Sequence, residues 1–106
     1  MEQQKRKISL AVSTPEAKFS AVVYREPFAS SFAKVAALGC DGIEVHLRDP
    51  GLVRAEELTR LAREHGLTIC ALGTGQAYGT DGLSFTDPDP LVRYAAVERI
   101  KSHIIL

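Results

Sequence analysis

Glu44 and His46 stand two residues apart in the stretch Gly42-Ile43-Glu44-Val45-His46-Leu47, where apolar and polar residues alternate. In an extended strand this spacing puts both side chains on one face, about 7 Å apart along the strand. A carboxylate and an imidazole so placed could work as acid and base, or supply two ligands to a metal. Two ligands fall short of the three protein groups a catalytic metal wants. The spacing therefore favours Glu44 as an inward polar residue in a hydrogen-bonded network, with His46 nearer a ligand mouth. Arg48 and Asp49 follow directly. Arg48 suits an anionic substrate group, while a solvated Arg beside a helix-capping Asp fits the residues equally well.

A second cluster begins where the apolar run Ile69 to Leu72 breaks into Gly73-Thr74-Gly75-Gln76-Ala77-Tyr78. It opens like a dinucleotide fingerprint and then fails it, because the third glycine position is Tyr78. It also lacks the Gly-Lys-Ser/Thr of a phosphate loop. What remains is lean backbone at Thr74 and Gly75 that lets a small polar ligand approach. Gln76 offers an amide, and Tyr78 a ring and a hydroxyl. The alternative is a plain flexible turn. His65 and His103 fall on helix stripes and read as structural. No serine elbow is present, and no Cys-His pairing is suggested by spacing.

The elements that must position these residues follow from periodicity. Ile8 to Ser13 alternates with period two and reads as the first strand, stopped by Thr14-Pro15. Residues 14 to 27 read as a long loop, a length that usually carries function. Phe28, Phe32 and Val35 form the stripe of a first helix that Gly39 closes. Gly42 to Leu47 is the second strand. Leu58, Leu61, Ala62 and His65 stripe a second helix over Arg54 to His65, with Gly66 as its cap. Ile69 to Leu72 is the third strand, read as buried. Asp87-Pro88-Asp89-Pro90 starts a third helix, with Val92, Ala96, Ile100 and Ile104 as its stripe.

The order is β-α-β-α-β-α, a parallel α/β pattern. In an open doubly wound sheet both strand faces are covered by helices, and the strands are apolar throughout. Here the first two strands carry one aliphatic face and one small or polar face, with Ser9, Ser13, Glu44 and His46 on the second. That suits the first three units of a (β/α)8 barrel with polar groups facing inward. Eight units take about 250 residues; 106 residues hold three. The expectation is a single N-terminal barrel segment over 1–106, with residues 1–6 a frayed tail and five βα units absent.

Composition narrows the function classes. Thirteen basic and thirteen acidic residues cancel, which argues against a nucleic-acid or membrane-surface partner. No apolar run approaches the roughly 20 residues of a membrane span, and Met1-Glu2-Gln3-Gln4 lacks a signal-peptide core. Cys40 and Cys70 are too few for a disulfide scaffold and read as buried small hydrophobes. The expected compartment is cytoplasmic.

Gly39-Cys40-Asp41-Gly42-Ile43-Glu44-Val45-His46, followed after a helix by Leu67-Thr68-Ile69-Cys70-Ala71-Leu72-Gly73-Thr74-Gly75-Gln76-Ala77-Tyr78, resembles the xylose isomerase-like TIM-barrel superfamily of sugar isomerases and epimerases. The second stretch, with Asp81-Gly82-Leu83-Ser84 and Arg48-Asp49-Pro50, is similar to the 5-keto-L-gluconate epimerase branch. The likeness runs from about Lys7 onward. It implies a divalent metal, often Mn²⁺, and a pair of glutamates that move a proton beside a sugar carbonyl through an enediolate. In the family those groups lie on later strands, so no catalytic or metal-ligating residue is assigned here and no metal is expected to bind this segment. The resemblance assigns Gln76, Tyr78, Glu44, His46, Arg48, Thr74 and Gly75 to a pocket wall for a small sugar or sugar acid. Three strands leave sheet edges bare, so self-association or association with the missing barrel portion is expected. Two other readings are a non-catalytic, self-associating α/β module and an apurinic-endonuclease-like member of the same superfamily.

Overall fold

The alternating stretches become parallel strands because each has one face that must be buried and one that need not be. The computed structural model describes residues 5–18 and 21–106. The expected tail lies partly outside the described residues, as do two positions of the long loop. The elements are β1 (Ser9–Ser13), β2 (Tyr24–Arg25), α1 (Phe28–Ala37), β3 (Gly42–His46), a 3-10 turn (Pro50–Leu52), α2 (Ala55–His65), β4 (Thr68–Gly73), the short α3 (Gln76–Gly79) and α4 (Pro90–Ile105).

The four strands form one parallel sheet in the order β2-β1-β3-β4. Leu10 pairs with Ile43 and Val12 with Val45 on one face; Ala11 pairs with Glu44 and Ser13 with His46 on the other. The aliphatic face meets α1 and α2. Val12, Phe32, Val35, Ile43, Val45, Leu47, Leu58 and Leu61 are buried together there, and Phe28 and Phe32 meet edge to face at 6.1 Å. Gly39 and Gly66 end α1 and α2 with positive φ of 82° and 65°, backbone that residues with a Cβ disfavour. This is an α/β fold with a parallel four-stranded sheet that is not closed within the described residues.

Four details depart from the sequence reading. First, the long loop contains β2. Val23 N donates to Ala11 O at 2.8 Å and Glu26 N to Ser13 O at 3.2 Å, so Tyr24 and Arg25 add a short edge strand beside β1. Second, β1 starts one residue late and leaves Ile8 exposed.

Third, β4 is a half-open edge strand rather than a buried one. Ile69 and Leu72 pack on the core, while Cys70 and Ala71 are exposed. A bulge explains it: Ile43 pairs with Ile69 but Glu44 with Ala71, which leaves Cys70 as the extra residue. Cys70 Sγ lies 2.9 Å from Ser9 Oγ on the open face. Fourth, the stripe of α4 changes at its carboxyl end. Asp89 Oδ1 accepts from Leu91 N at 2.9 Å and Pro90 takes the first helical position, as the motif predicts. Ala96 is buried as expected, but at the carboxyl end His103 is buried and Ile104 is 79% exposed. The hydrogen bonds of His103 described below turn the helix toward a polar anchor.

Candidate functional site

Strands β1, β3 and β4 carry their polar or lean residues toward their carboxyl ends, where α/β folds gather ligands. On β3, Glu44 and His46 project from the face opposite the core, and the side chains close the backbone spacing to 3.6 Å between Glu44 Oε1 and His46 Nε2. The His46 side chain is the more enclosed, 14% exposed against 41% for Glu44. Its ring lies close to the backbone of β4 at Gly73. A Cβ on Gly73 would sit 2.2 Å from His46 Nδ1, so only glycine at 73 leaves room for the imidazole.

Beyond Gly73 the chain turns through Thr74 and Gly75 into α3, where a plain flexible loop was the alternative reading. Gln76 opens this helix and is 2% exposed, yet neither its Oε1 nor its Nε2 has a hydrogen-bond partner. A buried polar group left so costs about 1–3 kcal/mol. It lines a cavity of about 90 Å³ together with Lys18, Gly79 and Thr80. Tyr78 points elsewhere. It is 70% exposed and lines a cleft of about 250 Å³ with Thr74, Gly75, Leu83, Phe85 and Ile100.

The turn after β3 is held by an ionic cluster. Asp49 Oδ1 accepts from Gly51 N at 2.9 Å and caps the 3-10 turn. Arg48 Nε lies 3.9 Å from Asp81 Oδ2. Arg99 of α4 donates to Asp81 Oδ2 at 2.7 Å and to Arg48 O at 2.9 Å, and lies 4.0 Å from Asp49. One turn later, the His103 ring nitrogens sit 2.9 Å from Leu47 O and from Arg99 O. Arg99 and His103 thus bolt α4 to the carboxyl end of β3. The sequence reading did not single out Arg99. Its signal was the polar pair at i and i+4 on the inward side of α4, where an aliphatic stripe was expected.

The predicted residues are therefore divided rather than gathered. Glu44 and His46 form one pair, Gln76 faces a small polar cavity, and Thr74, Gly75 and Tyr78 border an apolar cleft. Arg48 shares its charge with Asp81. Among the described residues, no group of three or more His, Cys, Asp or Glu side chains could hold a metal ion. Glu44 and His46 provide two donors, so the metal implied by the resemblance does not fit these residues.

The family model for the xylose isomerase-like TIM barrel matches residues 32–106. The chain belongs to the xylose isomerase-like TIM barrel family. No curated protein matches it. As a TIM-barrel sheet, its aliphatic face is the outer, helix-covered side, and Glu44 and His46 face the barrel interior. No helix among the described residues is long and apolar enough to cross a membrane.

Proposed function

We propose that this chain forms part of the substrate wall of a sugar isomerase or epimerase in the 5-keto-L-gluconate epimerase branch. The reaction is proton transfer next to the carbonyl of a keto-sugar or keto-sugar acid, through an enediolate. The observation that carries this reading is the Glu44–His46 pair on the inner face of β3, with the unpartnered Gln76 lying apart from it just beyond β4. An imidazole and a carboxylate can together hold the hydroxyls and carbonyl of a small polyol without a hydrophobic pocket.

In this reading the groups that move the proton, and a divalent metal such as Mn²⁺, come from outside the described residues, so the chain alone is inactive. The remainder of a barrel would supply these groups, whereas a second copy would only cover the open face. The open inner face and the exposed β4 edge favour such association. A cytoplasmic location accords with metabolism of a small sugar.

The test is ligand-observed NMR with the full chain, against keto-sugars, keto-sugar acids and an abasic DNA duplex. A keto-sugar or keto-sugar acid should bind saturably, and His46→Ala should weaken it. Binding of the abasic duplex alone would favour the endonuclease-like relative and overturn the reading. Incubation of the same sugars in D₂O with Mn²⁺ adds a second check. Deuterium entering beside the carbonyl would place the catalytic groups within this chain and refute its role as wall alone.

A further inference from the structure

α4 docks on the rest of the molecule along one side. Ala96 and His103 are buried there, and Arg99 reaches the carbonyl of Arg48 and the carboxylate of Asp81 from the same side. About half a turn around the helix runs a second stripe, at Leu91, Tyr94, Glu98, Lys101 and Ile105. Its steps alternate between three and four residues, the spacing of a seam between two paired helices. Leu91, Tyr94 and Ile105 are 76%, 67% and 84% exposed. A helix with apolar residues on both sides has one side too many for a single core. In a TIM barrel the helices form the outer ring, so this stripe, opposite the docked side, points away from the barrel wall.

The charges at the centre of the stripe say what it fits. Glu98 and Lys101 form an exposed ion pair at 3.3 Å within the helix, which adds little to the fold. A two-fold axis passing between them sets a second α4 antiparallel to the first. Each Glu98 then meets the partner's Lys101, and each Tyr94 meets the partner's Ile105. A parallel two-fold pair instead sets Glu98 against Glu98 and Lys101 against Lys101. An antiparallel pair centred on either residue sets that residue against itself. Like charges so placed repel, which leaves the first register as the one that matches both charges and covers the apolar ends.

We infer that the outer stripe of α4 is a contact surface for a second copy of this chain, antiparallel and centred on the Glu98–Lys101 pair. The surface lies apart from the open inner face and the β4 edge, and the inference stands independently of the substrate reading. A single helix pair falls below the roughly 1,200 Å² of a standard interface, so the dimer forms weakly and reversibly.

The experiment is sedimentation equilibrium of the full chain from micromolar to millimolar concentration, which should show a monomer–dimer equilibrium. Glu98→Lys and Lys101→Glu, both at exposed positions, should each weaken self-association roughly tenfold or more, with circular dichroism unchanged. Mixing the two single variants should restore a dimer, because each now carries one sign of charge on the stripe and the other variant carries the opposite. The double exchange, Glu98→Lys with Lys101→Glu, should self-associate like the parent. Tyr94→Ser should weaken the dimer without touching the charges.

A chain that stays monomeric throughout the range would overturn the inference. So would a dimer that ignores both charge reversals, which would put the contact on the inner face or the β4 edge. Single variants that do not prefer each other to themselves would overturn it as well. Growth beyond the dimer would do the same, because a two-fold contact closes on itself.

Discussion

The two faces of the sheet are built on opposite principles. On the helix side, Val12, Ile43, Val45 and Leu47 meet Phe32, Val35, Leu58 and Leu61 with almost no surface left open. On the other side, Ser9, Ala11, Glu44, His46 and Gly73 alternate with them in register, and the residues are small, polar or absent as side chains. Burial of apolar surface at about 25 cal/mol per Å² resides on the first face. The second holds hydrogen-bonding groups that add little to stability and whose exposure costs little. The difference teaches where each property of the molecule resides: the outer face keeps the strands parallel, and the inner face is free to carry chemistry.

Breaking the outer face should have the largest effect. Phe32 is fully buried at the centre of the cluster, and Phe32→Ala should cost about 3–5 kcal/mol, a large share of a typical domain stability of roughly 5–15 kcal/mol. Urea unfolding checks this, and whatever fraction remains folded should retain the native affinity for the keto-sugar or keto-sugar acid. A loss below about 1 kcal/mol would mean that the helix-covered face is not what holds the fold.

Gly73→Ala tests the inner face at an intermediate scale. The added Cβ would overlap the His46 ring, so the imidazole must move or β4 must shift. Overpacking of this kind costs about 1–3 kcal/mol. The distinguishing readout is local: the His46 ring resonances should change and keto-sugar binding should weaken beyond what the stability loss explains. Unchanged His46 signals would show that the ring does not rest on Gly73, and the comparison between the faces would lose its sharpest contact.

Much of the outer face was legible in the residues themselves. The stripe Phe28, Phe32, Val35 and the alternation Ile43, Val45, Leu47 each state a period, and burial obeys that period wherever one side of an element meets a core. The glycine caps and the Asp89-Pro90 start were legible for the same local reason. The inner face was harder to read. Ile69-Cys70-Ala71-Leu72 looks uniformly apolar, because small side chains on an open face carry no polarity to mark it, and a bulge has no periodicity. The carboxyl end of α4 misled for another reason: apolar and polar residues are mixed around the helix, so the choice of inward side there fell to the hydrogen bonds of Arg99 and His103 with carbonyls some fifty residues away. Glu44 and His46 could be placed on one face from spacing alone. That Gln76, Tyr78 and Arg48 would face three different surroundings depends on the turn of α3 and on α4, which no local pattern encodes.

The smallest effect is expected where an element belongs to neither face. β2 is tied to α1 by Lys34, whose Nζ lies 2.9 Å from both carboxylate oxygens of Glu26 and 5.2 Å from the centre of the Tyr24 ring. Ser30 also donates to Glu26 Oε2 at 3.1 Å. The hydrogen bond from Lys34 is the main reason the Glu26 carboxyl is held below the ordinary glutamate range in the folded state. A carboxyl depressed on folding contributes stability that is present above its unfolded-state value and is lost as pH falls through its folded-state value. Lys34→Met should therefore lower the melting temperature slightly at neutral pH, and the difference from the parent should vanish on the acid side of the carboxylate range. High salt should shrink it as well, because the lysine is half exposed. Equal destabilisation at both pH values would mean that Lys34 acts through its aliphatic stem and the Tyr24 ring, and that β2 is held by packing rather than by charge.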